Sequence, residues 1–137
     1  MESKVAIGYT IQKDFLVTSE QILEFAKVTT DFNPIHIDNK FAEGTRFKKP
    51  IAHGFLTASF ISSVLGNDFP GNGTIYLSQS LEFKAPVFAN DTITVCIKLL
   101  ENLGKNKYKL ETICINQNKD LIISGSAIVL NSILQVI

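Results

Sequence analysis

The sequence predicts an α+β fold in which a curled antiparallel β-sheet wraps around one long buried helix. Residues 51–65 are apolar nearly all round, with only a few hydroxyl groups after His53, and a helix of that composition is buried. From residue 74 to residue 130, hydrophobic and polar residues alternate with a period of two in four runs. Four consecutive strands that follow a buried helix indicate a sheet packed on that helix.

Length and composition narrow the class of protein. A chain of 137 residues that is 45% hydrophobic fits one domain with a real core, and we expect residues 1–137 to form it. The net charge of zero, without a basic face, argues against nucleic acid or an anionic membrane as a partner. Neither a signal peptide nor a segment of roughly 20 apolar residues is found, so we expect a soluble, cytoplasmic protein.

Turn and capping residues set the predicted order of elements. An opening strand is expected within residues 9–17, and Thr18 with Gln21 forms a capping box for the first helix. Asp38 is placed to cap a short helical turn that Gly44 ends. Hairpin loops are expected at residues 104–106 and 117–120.

Residues 31–36, Asp-Phe-Asn-Pro-Ile-His, lie between the first helix and this short turn. The proline disfavours helical geometry in the residue before it, so the segment is a shaped loop rather than one helical face. Loops held by a rigid scaffold often carry catalytic side chains. Both histidines of the chain lie nearby, His36 in the loop and His53 at the start of the apolar helix.

A family resemblance rests on these residues, between about Phe25 and Leu65. The run Thr-Asp-Phe-Asn-Pro-Ile-His, then Phe41-Ala42, then Ile-Ala-His-Gly before the apolar helix resembles the signature of the MaoC-like hydratases, the (R)-specific enoyl-CoA hydratase group. The resemblance implies a hot-dog fold and addition of water to an enoyl thioester. Thr30 stands where the family usually has glycine, and a β-branched residue would resist a positive φ there.

The resemblance implies specific roles. Asp31 and His36 are expected to hold a water molecule and move its protons, and the Gly54 N–H to stabilise the thioester oxygen. Asn33 is expected to brace the loop at the substrate site. Taken without the resemblance, Asp31 and Asn33 could simply shape a turn and His36 could be a satisfied, partly buried histidine.

His53, the second histidine, has a different expected role from His36. We expect His53 to be structural, packing or hydrogen bonding at the helix start. Two histidines without cysteine or carboxylate ligand spacing make a zinc site improbable, so no metal is expected. No redox cofactor is expected either; coenzyme A or acyl carrier protein would carry the substrate.

Substrate-binding residues are expected along the apolar helix and on a basic stretch. Ser62 and Leu65 follow Gly54 by eight and eleven positions, so both are expected to line the acyl pocket. A buried hydroxyl needs a partner, which favours a polar role for Ser62, whereas core packing explains Leu65 equally well. A set of basic residues could bind the phosphates of coenzyme A, and the alternative is that they form only a solvent-exposed charged face: Arg46, Lys48, Lys49 and Lys84.

The last strand predicts an interface, and the two cysteines lie in earlier strands. Both faces of residues 121–130 are apolar, and the face turned away from the helix needs cover such as a second subunit, so a homodimer or a higher homo-oligomer is expected. Cys96 and Cys114 lack CxxC spacing and are interpreted as reduced core residues, with a disulfide between them as the less favoured alternative.

Three other functions stay open at this level. The same site could dehydrate 3-hydroxyacyl chains on acyl carrier protein. A thioesterase on this fold is disfavoured by the Asp-x-Asn-Pro-x-His spacing. A non-catalytic subunit that binds acyl thioesters is favoured only by Thr30.

Overall fold

The computed structural model describes residues 4–137, in which four helices and eight strands follow one another along the chain. Their bounds are β1 (Lys4–Val5), β2 (Thr10–Leu16), α1 (Ser19–Thr29), α2 (Pro34–Ile37), α3 (Asn39–Glu43), α4 (Gly54–Asn67), β3 (Ile75–Gln79), β4 (Glu82–Phe83), β5 (Thr92–Gly104), β6 (Lys107–Ile115), β7 (Leu121–Leu130) and β8 (Gln135–Val136).

Six strands form one sheet in the order β2-β5-β6-β7-β3, and β4 also pairs with β7. The strands β5, β6 and β7 form an antiparallel meander, joined by the two hairpin loops that the sequence predicts. The sheet packs along α4, and apolar residues of α4, β5, β6 and β7 form the core. This architecture is the hot-dog fold, so the predicted fold class is confirmed.

Strand β3 pairs with β7, which is distant from it in the sequence, and not with the next long strand, β5. The first alternating run after residue 74 contains two strands, since it is divided into β3 and β4 at Ser80. The carbonyl oxygen of Ser80 lies 1.9 Å from where a Cβ on Gly125 would be, so the close approach at this break requires glycine in β7.

Helix α4 is buried on one side only, which corrects the expectation that it is buried all round. Its core side carries Leu56, Thr57, Phe60, Ile61, Val64 and Leu65. The opposite stripe is open to solvent, with Phe55 65% exposed and Ser59 and Ser62 also exposed. Phe55 and Ser59 therefore form, with β3, a surface that the described residues do not cover.

Exposed apolar residues concentrate on β3 and β4 more than on β7. In β7, Ala127 and Val129 are fully buried in the core, while Ile128 and Leu130 on the other face are partly covered. The strands β3 and β4 expose four large apolar side chains: Ile75, Tyr76, Leu77 and Phe83. The apolar surface that most needs cover from a partner is therefore on β3 and β4, beside β7, and not on β7 itself.

The two cysteines lie on opposite faces of the sheet. Cys114 is fully buried and pairs across the strands with Val95, whereas Cys96 is partly exposed and pairs with Ile113. Both are free thiols, so the disulfide alternative is wrong and Cys96 is not a core residue. Within residues 4–137, no helix has the length and apolar character needed to cross a membrane.

Candidate active site

The loop that carries the catalytic candidates begins where α1 ends. The predicted capping box is present: the Gln21 N–H donates to Thr18 Oγ1 over 3.1 Å, and the Thr18 N–H to Gln21 Oε1 over 3.0 Å. At the other end, Thr30 is the C-cap with φ 62° and ψ 21°, in the left-handed region. Threonine therefore adopts the positive φ for which glycine is favoured, and the loop continues towards Asp31.

Side chains of the loop hydrogen bond to its own backbone. Asp31 Oδ1 accepts from the Asn33 N–H over 3.2 Å, and Asn33 Oδ1 accepts from the Ile35 N–H over 3.2 Å. Pro34 then begins α2, where its missing N–H costs nothing. Asn33 braces the loop in the way the sequence predicts, and the Asp31 carboxylate stays exposed beside it.

The ring of His36 is fixed by one backbone hydrogen bond. Its Nδ1 lies 2.7 Å from the carbonyl oxygen of Ile51, just before α4. Because a carbonyl oxygen can only accept, Nδ1 carries the proton. In the neutral imidazole the lone pair is then on Nε2, which makes this nitrogen a base available to a ligand.

His53 lies directly against His36. The two rings stack with centroids 3.9 Å apart and planes 29° apart. His53 is 3% exposed, and its Nε2 lies 3.1 Å from the Asp31 carbonyl oxygen, to which it must donate. The expected structural role at the helix start is confirmed, since His53 is the N-cap residue of α4. Its Nδ1 is buried without a hydrogen-bond partner among the described residues.

Asp31, His36 and His53 form a cluster. One ligand-capable atom of each residue lies within 4.8 Å of those of the other two. Two hydrogen bonds of about 2.8 Å each span more than this distance, so the Asp31 carboxylate and the His36 ring can share one water molecule. The sequence argued against a metal because no carboxylate or cysteine stands at ligand spacing from the histidines. That reason no longer holds, because the fold brings the Asp31 carboxylate beside two imidazoles. The absence of a metal stays a prediction.

A cavity of about 390 Å³ lies at the N-terminus of α4. His36, Gly54 and Thr57 contribute to its wall. The first N–H groups of a helix have no acceptor within it, so the Gly54 N–H is available to a ligand. Apolar side chains line much of the remainder: Ile51, Ala52, Phe55, Phe83, Val87, Ile122 and Ile123. An imidazole base and a backbone donor thus share one mainly apolar cavity.

The structure does not place the two predicted acyl-binding residues in this cavity. Ser62 is exposed on the open stripe of α4, so the assumption of a buried hydroxyl at this position is wrong. Leu65 is 1% exposed within the core. The buried hydroxyl is instead that of Thr57, which sequence reasoning missed although it lies three residues after Gly54 on the same helix.

The basic residues are divided between two sites. Arg46 and Lys84 line the first cavity, and Lys84 Nζ lies 2.5 Å from Glu82 Oε2. The hydrogen bond with Lys84 lowers the pKa of Glu82. Lys49 lines a second cavity of about 450 Å³, which also reaches His36. Lys48 lines neither cavity, so a phosphate site built from all four basic residues does not form within this chain.

Fold and site together define a hot-dog protein whose central helix begins at an aspartate–histidine pair. The chain belongs to the MaoC-like family: the family model described as "MaoC like domain" matches residues 3–122. The predicted resemblance is therefore confirmed.

Relatives and solved structures agree with this membership. The chain is 42% identical over 111 residues to an (R)-specific enoyl-CoA hydratase of Aeromonas caviae, which covers 80% of this chain and 82% of the relative. It is 34% identical to a mitochondrial 3-hydroxyacyl-[acyl-carrier-protein] dehydratase of Arabidopsis thaliana, over 88% of this chain and 74% of the relative. The structure of the R-hydratase PhaJ1 of Pseudomonas aeruginosa superposes with a TM-score of 0.90 at 34% identity, covering 96% and 83% of the two chains.

Proposed function

We propose that this protein is an (R)-specific enoyl-CoA hydratase, which adds water reversibly to (2E)-enoyl-CoA and forms (3R)-3-hydroxyacyl-CoA. The observation that carries the proposal is the Asp31 carboxylate within 4.8 Å of a ring nitrogen of His36, close enough for both to hold one water. The Aeromonas caviae relative bears the name of this activity.

The aspartate–histidine pair provides both proton transfers. A water held between the Asp31 carboxylate and the bare Nε2 of His36 loses a proton to the pair as its oxygen bonds to the β-carbon. The pair returns a proton to the α-carbon, so protons balance over the cycle. Because water and proton come from the same side of the double bond, the addition is syn and gives one configuration.

Negative charge moves to the thioester oxygen while the new C–O bond forms. A preorganised donor at that oxygen lowers the barrier, and the Gly54 N–H lies in the same cavity as His36. The N-terminus of α4, a helix of 14 residues, also favours negative charge at this point. Gly54 is the proposed oxyanion donor.

The rest of the cavity suits the acyl chain and its carrier. Val87, Ile122 and Ile123 offer apolar surface to an acyl chain, and Arg46 and Lys84 offer positive charge to the phosphates of coenzyme A. Ser62 and Leu65 do not line this cavity. They can limit the length of the acyl chain only if the chain extends past the cavity and contacts them there. A partner subunit could reach Ser62, because the stripe of α4 that carries it is open.

We propose that the reaction needs no metal or redox cofactor. Base, acid and oxyanion donor are all groups of the chain, and hydration changes no overall oxidation state. We further propose a single domain that works in the cytoplasm, where the free thiols Cys96 and Cys114 would remain reduced.

The proposed assembly is a homodimer through the open surface of β3 and α4. Phe55, Tyr76 and Leu77 border a shallow apolar cavity there, with Phe55 65% and Leu77 47% exposed. A contiguous apolar surface of this kind marks an interaction site. Sedimentation should give twice the chain mass of 15.1 kDa, and Leu77→Glu should give the single mass. A monomeric wild type would contradict the dimer.

A second candidate function uses the same residues in the opposite direction. The Arabidopsis thaliana relative is named as a dehydratase of 3-hydroxyacyl chains on acyl carrier protein. Dehydration is the reverse of hydration and uses Asp31 and His36 in the same way. The two candidates therefore differ in the carrier of the acyl chain, which is coenzyme A in one and acyl carrier protein in the other. Comparing kcat/KM for the same acyl chain on the two carriers decides between them.

The test of the proposed function is loss of the conjugated enoyl absorbance of crotonyl-CoA, with the product's configuration determined. Asp31→Asn and His36→Ala should each lower kcat by at least about 100-fold, the scale of general acid–base catalysis. Asp68→Asn, which changes an exposed carboxylate paired with Lys13, should leave kcat unchanged. No turnover of enoyl chains on either carrier by folded wild type would contradict the proposal. Turnover of saturated acyl-CoA instead would support a thioesterase, and thioester binding alone a non-catalytic subunit.

A further inference from the structure

The hydroxyl group of Thr57 is buried without a hydrogen-bond partner. Thr57 is 1% exposed, and its Oγ1 has no hydrogen-bond partner among residues 4–137. Buried polar groups are nearly always paired, because an unpaired one loses its bonds to water without replacement. Thr57 also lines the cavity that contains Gly54 and His36. Its free hydroxyl therefore belongs to the wall of the candidate active site.

Two other helical hydroxyls in this protein bond to the backbone of their own helix. Ser59 Oγ donates to the carbonyl oxygen of Leu56 over 2.6 Å, and Thr29 Oγ1 to that of Phe25 over 2.8 Å. This local bond is the usual way for serine and threonine to be satisfied inside a helix. Thr57 does not make it, and its hydroxyl is left for a ligand.

The position of Thr57 points to one kind of ligand atom. Three residues along an α-helix correspond to a rise of about 4.5 Å and nearly a full turn, so Thr57 lies one turn after Gly54 on the same side. Side chains of a helix tilt towards its N-terminus and cover the preceding turn. The Thr57 side chain thus leans back towards Gly54, whose N–H has no acceptor within α4.

We infer that the Thr57 hydroxyl is a second hydrogen-bond donor to the thioester oxygen of the substrate, acting beside the Gly54 N–H. This inference rests on the proposed hydratase function and adds a residue to it. A hydroxyl has one proton to donate, and an oxygen that becomes negative in the transition state is a better acceptor than the same oxygen in the substrate. The bond strengthens as water adds, so the hydroxyl accelerates the reaction more than it tightens binding.

The experiment compares Thr57→Val, which replaces the hydroxyl with a methyl group of similar size, with Thr57→Ser, which keeps it. With crotonyl-CoA, Thr57→Val should lower kcat by about 100-fold, the scale for loss of one oxyanion donor, with KM changed less than about threefold. Thr57→Ser should restore kcat to within about threefold of wild type. Ser63→Ala removes another hydroxyl of α4 away from the cavity and serves as the matched control, with kcat unchanged.

Stability measurements separate this role from a structural one. Because the hydroxyl has no partner in the protein, urea unfolding should show Thr57→Val to be at least as stable as wild type. A variant that is as stable but much slower supports the inference. An active wild type with an equally fast Thr57→Val, or a Thr57→Val that raises KM alone, overturns the inference and leaves the proposed function standing. A folded wild type that hydrates no enoyl thioester overturns both.

Discussion

His36 and His53 stack with ring centroids 3.9 Å apart, and each ring is anchored by one nitrogen to a backbone carbonyl. His53 donates to the Asp31 carbonyl and so links the loop of residues 31–36 to the start of α4. The proposed base His36, the Asp31 loop and the helix N-terminus are therefore held together by a second histidine.

His53→Phe tests this positioning role. The phenyl ring can still stack on His36, but the hydrogen bond to the Asp31 carbonyl is lost, so the loop is less well placed. We expect kcat to fall about tenfold with little change in KM, because small displacements of catalytic groups slow the chemical step. Steady-state kinetics with crotonyl-CoA measures both constants.

The control for that substitution is Phe25→Leu. Phe25 packs against His53 with ring centroids 5.0 Å apart and does not take part in its hydrogen bond. Its replacement should cost less in kcat than His53→Phe. Wild-type kcat in His53→Phe would mean that the loop holds its geometry without this link.

The sequence reveals those parts of the site that lie close together along the chain. Asp31, Asn33 and His36 belong to one short run, and the proline between them already excludes a plain helix. The contact between His36 and His53 joins residues 17 positions apart in separate elements, and no local pattern encodes it. Only packing decides such contacts.

The same limit explains the error on α4. Several hydroxyls follow Gly54 on an apolar helix, and the periodicity alone cannot say which of them faces the core and which faces a partner. The structure buries Thr57 and exposes Ser62. Likewise, alternation predicts that residues 75–79 form a strand but not that it lies beside β7, because strand neighbours are chosen by long-range pairing.

Thr30→Gly should stabilise the protein. Thr30 has a φ of 62°, and a β-branched residue in the left-handed region carries a conformational cost of about 1–2 kcal/mol that glycine does not. Glycine also gains freedom in the unfolded chain, so the net gain should be about 1 kcal/mol. Urea unfolding measures it, and kcat should stay within about threefold of wild type because the loop path is unchanged.

Lys119→Gly is the matched control for Thr30→Gly. Lys119 also has a positive φ, 66°, but it is not β-branched and lies in the turn before β7. Its replacement should stabilise less. An equal gain at both positions would show that branching at Cβ adds no strain at Thr30.

Stability should fall at alkaline pH through Cys114. Burial, with a smaller contribution from Cys96, raises the pKa of the Cys114 thiol from 9.0 to about 12. The folded state therefore prefers the protonated thiol, so this stabilisation is complete below pH 9 and is lost as the pH rises towards 12. Between pH 8 and pH 10 the loss should slightly exceed about 1 kcal/mol, measured by urea unfolding under reducing conditions.

Cys114→Ala isolates that contribution. The variant will be less stable at every pH because it leaves a cavity, but its unfolding free energy should decline less steeply above pH 9. Burial, with a smaller contribution from Cys114, raises the pKa of Tyr76 from 10.0 to about 12, so the difference between the two proteins also includes the effect of Cys114 on Tyr76. Parallel pH curves for wild type and Cys114→Ala would contradict the assignment.

Gly54 and Phe83 lie close together in the wall of the cavity. A Cβ on Gly54 would lie 2.7 Å from Phe83 Cε1 and 2.8 Å from Cδ1, so Gly54→Ala forces the ring to move. We expect a loss of stability of about 1–2 kcal/mol, typical of overpacking. In a Phe83→Leu background the loss should be smaller, and a double-mutant cycle measured by urea unfolding gives the coupling.

Activity in the same cycle separates two reasons for glycine at position 54. Gly54→Ala keeps the N–H, so any loss of kcat/KM comes from the added methyl group and not from a missing donor. If the methyl group obstructs the thioester, the loss should be at least about tenfold in both backgrounds. If activity recovers fully with Phe83→Leu, Gly54 is required only because its lack of a side chain leaves space for the Phe83 ring. The substrate then does not need glycine in order to approach the helix N-terminus.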